Sequence, residues 1–236
     1  MKFTLACLIT TIGLSVAAPA ESSPEARSGT VQGFDISGYQ TNVNFGAAYQ
    51  SGARFVIIKA TEGLTYKSPE FNTQYTGATK AHFIRGGYHF ARPDVSSGRQ
   101  QAEYFAKNGG GWSGDGITLP GMLDIESYAN KPECYGLSRS AMVAWIRDFA
   151  DTYHQLTSRY PMIYTGYYWW KDCTGNSNAF RSTSPLVLAN YNSKPTPVPG
   201  DWPFYTIWQY NDHYKYGGDS DVFNGDITQL KKLATG

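Results

Sequence analysis

Three cysteines, four histidines and a net charge of +1 in 236 residues exclude several kinds of protein before any motif is sought. Cys7 falls in an N-terminal apolar stretch, so only Cys134 and Cys173 remain for a folded domain. Two cysteines without clustered histidines are too few for a structural zinc site, and no metal or other cofactor is expected. They do allow one disulfide in an oxidising compartment. They sit in the loop-like stretches YANKPECYG and WWKDCTGNS, which would meet if both loops lie at the same end of neighbouring strands. With 20 basic against 19 acidic residues and no block of like charge, nothing draws the chain toward nucleic acid or a membrane surface, so partners must be recognised locally. No glycine-rich phosphate loop follows the first apolar run, since GFDISGYQ lacks that spacing. Past the N-terminus no apolar run reaches the roughly 20 residues that a membrane-spanning helix needs.

What is present begins with Met1-Lys2 and an apolar run from Phe3 to Ala18 that ends in Ala18-Pro19-Ala20. A charged start, a short hydrophobic stretch and a small-residue cleavage site predict a secretory signal over 1–20, removed before Glu21. Residues 21–30, ESSPEARSGT, read as a short flexible or processed segment with Arg27 as a candidate cut. Residues 31–236 then fit one compact, exported domain.

Eight short apolar runs recur along that domain, at Val31 to Ile36, Phe55 to Ile58, Phe83 to Phe90, Leu119 to Ile125, Pro161 to Tyr164, Pro185 to Ala189, Phe204 to Trp208 and Asp221 to Phe223. Between the earlier ones, Asn44 to Gln50, Pro69 to Lys80, Gly98 to Asn108 and Ser138 to Leu156 place apolar residues at helical spacing. In the last of these Met142, Trp145, Ile146, Phe149 and Tyr153 form the stripe and Ser138 is the cap. The later links are short, and KPTPVPGDWP reads as a proline-rich loop. This alternation predicts an α/β fold, a closed and mostly parallel TIM-like (β/α) barrel with incomplete outer helices; an open doubly wound sheet is the alternative. A barrel gathers the C-terminal ends of its strands around one pocket.

Read at that end, the strand termini carry Asp35, Asp124, Glu126 and Asp221. In Asp124-Ile125-Glu126, alternate residues of an extended strand lie about 6.6 Å apart on one face, so both carboxylates look into the mouth while Ile125 faces the packed layer. Crowding and partial burial push one of two such acids upward in pKa, so one keeps a proton to give away while the other stays charged. The longer Glu126 is the candidate proton donor and Asp124 its partner. Asp35 and Asp221 sit on strands that a closed barrel makes neighbours. Lys59 is placed to balance this charge, and Tyr164, Tyr191 and Trp208 lie where a hydroxyl or indole N–H could hold an acetamido group. His89, Tyr39, Tyr88, Trp169 and Trp170 are further candidates for the pocket wall. The counts of 18 Tyr, 12 Phe and 6 Trp fit a cleft in which sugar rings lay their C–H faces on flat side chains, although core packing accounts for many of them.

The succession GFDISGYQ, FVIIKATEG, GGYHFARP, MLDIE, PMIYTGYYWW, LVLANYN, IWQYND and DSDVFNGD resembles the Chalaropsis-type lysozymes, family 25 of the glycoside hydrolases, over essentially all of 31–236. The resemblance implies a modified barrel lacking helices in its later half. It implies muramidase activity on the β-1,4 bond between N-acetylmuramic acid and N-acetylglucosamine of bacterial peptidoglycan, without a cofactor, by a monomer. It also implies Glu126 as acid/base and Asp124 as its partner, with Asp35 and Asp221 completing the set, and a retaining route in which the substrate's own acetamido oxygen attacks. The residues alone leave a covalent aspartyl intermediate open. DSDVFNGD departs from a more regular Val-Asp-x-Asn pattern, so Asp221 is preferred over Asp219 and Asp226. No cell-wall-binding repeats are expected after the barrel. Two other readings remain: a chitinase, for which the Asp-x-x-Asp-x-Asp-x-Glu spacing before Glu126 is absent, and a non-catalytic sugar-binding protein, which four intact acids disfavour.

Overall fold

The structure, a computed structural model, describes residues 29–236. The expected signal peptide, Cys7 and most of the 21–30 segment lie outside the described residues. The elements run in the order β1 (Val31–Ile36), α1 (Phe45–Gln50), β2 (Phe55–Glu62), β3 (Tyr66–Lys67), α2 (Phe71–Lys80), β4 (Ile84–Phe90), α3 (Gly98–Phe105), β5 (Met122–Asp124), α4 (Arg139–Thr157), β6 (Met162–Gly166), α5 (Tyr167–Thr174), β7 (Leu186–Ala189), β8 (Ile207–Asn211), β9 (Asp219–Phe223) and α6 (Ile227–Thr235). The described strands form a nine-stranded sheet in the order β1-β9-β8-β7-β6-β5-β4-β2-β3, which a β1–β2 pairing closes into a barrel with β3 as a hairpin outside it. The expected closed barrel is therefore what the chain forms, with one reversal: β9 runs antiparallel to both of its neighbours.

Inside the barrel, Val31, Phe55, Ile57, Ile84, Met122, Met162, Val187 and Ile207 pack as one buried cluster. These are every second residue of their strands, as the pleat requires, so the interior below the mouth is filled rather than open. Outside, the stripe of α4 is buried as its spacing predicts, with Met142, Ile146, Phe149 and Tyr153 at 0% exposure against α3 and the outer faces of β5 and β6. Fully burying a side chain such as Phe149 is worth roughly 1.5–3 kcal/mol. The caps agree with the sequence: Asn44 accepts from Ala47 N to start α1, and Ser138 accepts from Ala141 N to start α4. Gly98 opens α3 because a Cβ there would overlap the Trp145 carbonyl of α4.

The later half is barer, with no helix between β7 and β8 or between β8 and β9. Two short helices go beyond the expected set. α5 follows β6 directly, and α6 starts at a capping box in which Asp226 accepts from Gln229 N and the Gln229 side chain reaches back. Asp226 is thereby a helix cap and not a pocket acid. Among the described residues no helix is long and apolar enough to cross a membrane.

Candidate active site

At the C-terminal ends of the parallel strands lies an open basin lined by Asp35, Ser37, Tyr39, Lys59, Tyr88, Phe90, Met122, Asp124, Glu126, Tyr164, Gln209 and Asp219. Asp35 follows Val31 and Gly33 on the inward face of β1, and Asp124 follows Met122 on that of β5. The chain stays extended past β5: Ile125 N–H donates to the Tyr164 carbonyl at 3.0 Å and its side chain is fully buried in the outer core. Glu126 therefore returns to the Asp124 face. Its backbone carbonyl accepts from the Tyr135 hydroxyl at 2.7 Å, which fixes where the side chain starts. The loop carrying Tyr135 is in turn tied to α5 by the Cys134–Cys173 disulfide, with Cα atoms 5.2 Å apart.

The last acid of the set comes from β9. Because β9 is reversed, its N-terminal end stands at the mouth: Asp219 pairs with Asp35 in register, whereas Asp221 pairs with Gly33 and lies one layer deeper, 1% exposed. A parallel last strand would have carried Asp221 upward; the reversal makes Asp219 the rim carboxylate and Asp221 a buried floor residue. Gly218 makes the turn into β9 at φ +77°, and a Cβ there would overlap the Asp35 carbonyl.

Five carboxyls crowded at one end of the barrel cannot all ionise. Burial and then the Asp219 charge push Asp35 up to about 8. Burial and then Asp219 raise Glu126 to about 7, while the Lys59 ammonium and a hydrogen bond shared with Asp124 act against the rise. Asp124 is held well above the usual carboxylate range by burial and by Glu126, and Asp221 by burial and by Asp35. Asp219 is raised as well, by burial and by Asp212. A glutamate near 7 is poised to donate a proton at neutral pH. Asp124 Oδ1 is buried with no hydrogen-bond partner, which leaves an unsatisfied acceptor in the wall of the site.

The remaining candidates separate by strand face. Tyr39, 93% exposed, stands on the rim, while Tyr88 and Tyr164 are buried in the wall. Lys59 lies over the Phe90 ring and pairs with Glu62 at 2.8 Å, so it acts on the acids by its field. Tyr191 is set back from the basin, but its hydroxyl reaches Gln209 at 2.8 Å. His89 faces the other way: fully buried on the outer side of β4, it bonds to Thr61 and Gln101 at 2.8 Å each and packs on Phe149. Trp208 also points outward from β8, its indole N–H donating to the Asn190 carbonyl. Trp169 is anchored in the outer core by a bond to the Glu133 carbonyl, and with Tyr168 and Tyr191 it walls a second trough; Trp170 is wholly core.

Gln209, like Ser37, Phe90 and Met122, lines the basin without being singled out by the sequence, and Asp219 stands there as the alternative that the irregular DSDVFNGD pattern ranks below Asp221. Gln209 lies past the end of the expected Phe204 to Trp208 strand, which actually spans Ile207–Asn211. The signal that could have found it is alternation, since Ile207 and Gln209 share an inward face.

The family model for glycosyl hydrolases family 25 matches residues 34–219. The chain is 59% identical to the N,O-diacetylmuramidase of Arthroderma benhamiae over 236 residues, covering 100% of both. It is 63% identical to that of Chalaropsis sp over 211 residues, covering 88% of this chain and 100% of the relative. Among solved structures, a family GH25 lysozyme from Aspergillus fumigatus superposes with a TM-score of 0.87 at 63% identity, covering 88% of this chain and 100% of the other. A matching family model over most of the domain, and relatives this similar along their whole length, establish that the chain belongs to family 25 of the glycosyl hydrolases.

Proposed function

We propose that the chain is a muramidase that hydrolyses the β-1,4 bond between N-acetylmuramic acid and N-acetylglucosamine in bacterial peptidoglycan. The observation that carries this reading is the Asp124–Glu126 pair on one face of the basin, opposite Asp35 and Asp219. Glu126, at about 7, gives its proton to the glycosidic oxygen as the bond to the anomeric carbon breaks. The acetamido oxygen of the same sugar attacks that carbon from the opposite face, and the positive charge moves onto the ring so formed. Asp124, which lines the basin, accepts the acetamido N–H and stabilises that charge. Glu126, now a carboxylate, takes a proton from the water that opens the ring, giving net retention. On the far wall Asp35 and Asp219, which crowding keeps from ionising together, supply negative potential as a pair, and Tyr39 and Tyr88 contact the sugar. The names of the relatives support extending the substrate to muramic acid that is both N- and O-acetylated.

Residues 1–20 act in this reading as a secretory signal and 31–236 as the catalytic domain, delivered to a substrate that lies outside the cell; the Cys134–Cys173 bond suits that compartment. The test is digestion of purified peptidoglycan, with chitin in parallel, followed by reduction and identification of the new chain ends. Muramic acid at those ends is expected. Glucosamine ends, or preferential release from chitin, would reject the assignment.

A further inference from the structure

Gln209 is 3% exposed on the inward face of β8, between the strand that leads to Tyr191 and the reversed strand that carries Asp219. Its amide N–H groups donate to Asp35 Oδ2 at 2.7 Å and to Asp219 Oδ2 at 3.2 Å. Its carbonyl oxygen accepts from the Tyr164 hydroxyl and from the Tyr191 hydroxyl, each at 2.8 Å. A side-chain amide has two N–H donors and two acceptor lone pairs, and here all four are engaged. Turning the amide over would set its oxygen against two carboxylates, so the two tyrosines fix which end meets the acids.

We propose that Gln209 is a positioning residue for the reaction: clamped by Tyr164 and Tyr191, it holds the Asp35 and Asp219 carboxylates at a fixed separation on one wall of the basin. This rests on the reading of the basin as the site of glycosidic cleavage. The need for such a clamp follows from the charge around it. Asp35 faces Asp219 and Asp221 from β9 and Asp124 and Glu126 from the end of β5, all acids, and without a donor between them the two rim carboxylates would repel and splay. The cation on this wall, Lys59, is engaged with Glu62 at 2.8 Å, and His213, beyond Asp219, is exposed beside Asp212. Tyr88, Tyr164 and Tyr191 present phenols held above their ordinary pKa by burial, so they remain neutral donors through the working range. The hydrogen bond from Gln209 favours the charged form of Asp35 against the burial that disfavours it.

The test is Gln209→Met, which keeps the length and removes all four bonds. Two measurements are made on the full chain: the carbon-13 carboxyl titration of Asp35, and kcat/KM on peptidoglycan as a function of pH. The midpoint of Asp35 is expected to move upward by about one pH unit. The acid limb of kcat/KM should move the same way, with at least a tenfold loss at the optimum. An Asp35 titration that does not move overturns the inference, as does a kcat/KM reduced by one factor at every pH, the mark of a merely structural role. If Gln209→Met does not fold, Tyr164→Phe and Tyr191→Phe each leave one lone pair of the amide unfilled and should give smaller shifts in the same direction; an unmoved limb in both overturns it. A parent enzyme that releases no muramic acid ends would reject the muramidase reading, while the carboxyl titration would still decide the role of Gln209.

Discussion

Replacing Glu126 by Gln should remove activity and strengthen the fold in the same stroke, and the second effect should depend on pH in a defined way. Burial and the Asp219 charge raise the Glu126 carboxyl from 4.5 to about 7. A carboxyl whose folded pKa exceeds its unfolded value costs no stability below about pH 4.5, where both states are neutral, and costs the full amount above pH 7, where both are charged. At ~1.4 kcal/mol per pH unit the difference is on the order of 3 kcal/mol. Gln carries no charge and nearly the same shape, so Glu126→Gln should match the parent at pH 4. At pH 8 it should be more stable, by about 2–4 °C in melting temperature for each kcal/mol in a domain of this size. Removing the proton donor should lower turnover by roughly 10²–10⁴. Urea denaturation at the two pH values and release of reducing ends from peptidoglycan measure both halves. Turnover within tenfold of the parent would refute Glu126 as the donor, and a stability gain equal at pH 4 and pH 8 would refute crowding and burial as the source of its raised pKa.

Asp219→Asn should lower kcat by ~10²–10³, whereas Asp221→Asn, at a floor residue whose ionisation burial disfavours, should cost less than about tenfold; the reverse order in steady-state rates would return the rim role to Asp221. Replacing Cys134 and Cys173 together by Ser opens a cross-link spanning 39 residues, for which chain entropy gives a loss of about 4 kcal/mol, read from urea midpoints; no change would count against a stabilising disulfide. His89 is lowered to about 4 by burial, so the fold is favoured above pH 6.5 and weakens by about 3 kcal/mol as pH falls toward 4. In His89→Gln that acid-side slope should flatten, and a slope equal to the parent's would show that other groups set it.

The features legible in the sequence are those that need only a local period. Asp124 and Glu126 share a face and Ile125 does not because a strand alternates, and the α4 stripe from Met142 to Tyr153 is buried because a helix repeats every 3.6 residues. The same rule, carried through β4 and β8, would have turned His89 outward between the inward Tyr88 and Phe90, and Trp208 outward between Ile207 and the Gln209 layer. What the local pattern lacks is the direction in which a strand enters the sheet. DSDVFNGD alternates identically in either sense, so the choice between Asp219 and Asp221 waits on which end of β9 meets Asp35, and that is settled by a seven-residue link, 212–218, too short for a helical crossover. Gln209 was hidden by a smaller shift, three residues in the bounds of β8, in a segment where aromatic residues on both faces blur the register.

The reversal of β9 also decides where the polypeptide goes next. Having delivered Asp219 at the rim, the strand descends to Phe223 at the opposite end, where α6 lies across the opening with Leu230 and Ala234 packed into the inner cluster. The helix is thus a stopper for the base of the barrel. A tag, tether or second module joined after Gly236 would trail from that sealed base, leaving the approach of a bulky, cross-linked wall polymer to the acids unobstructed.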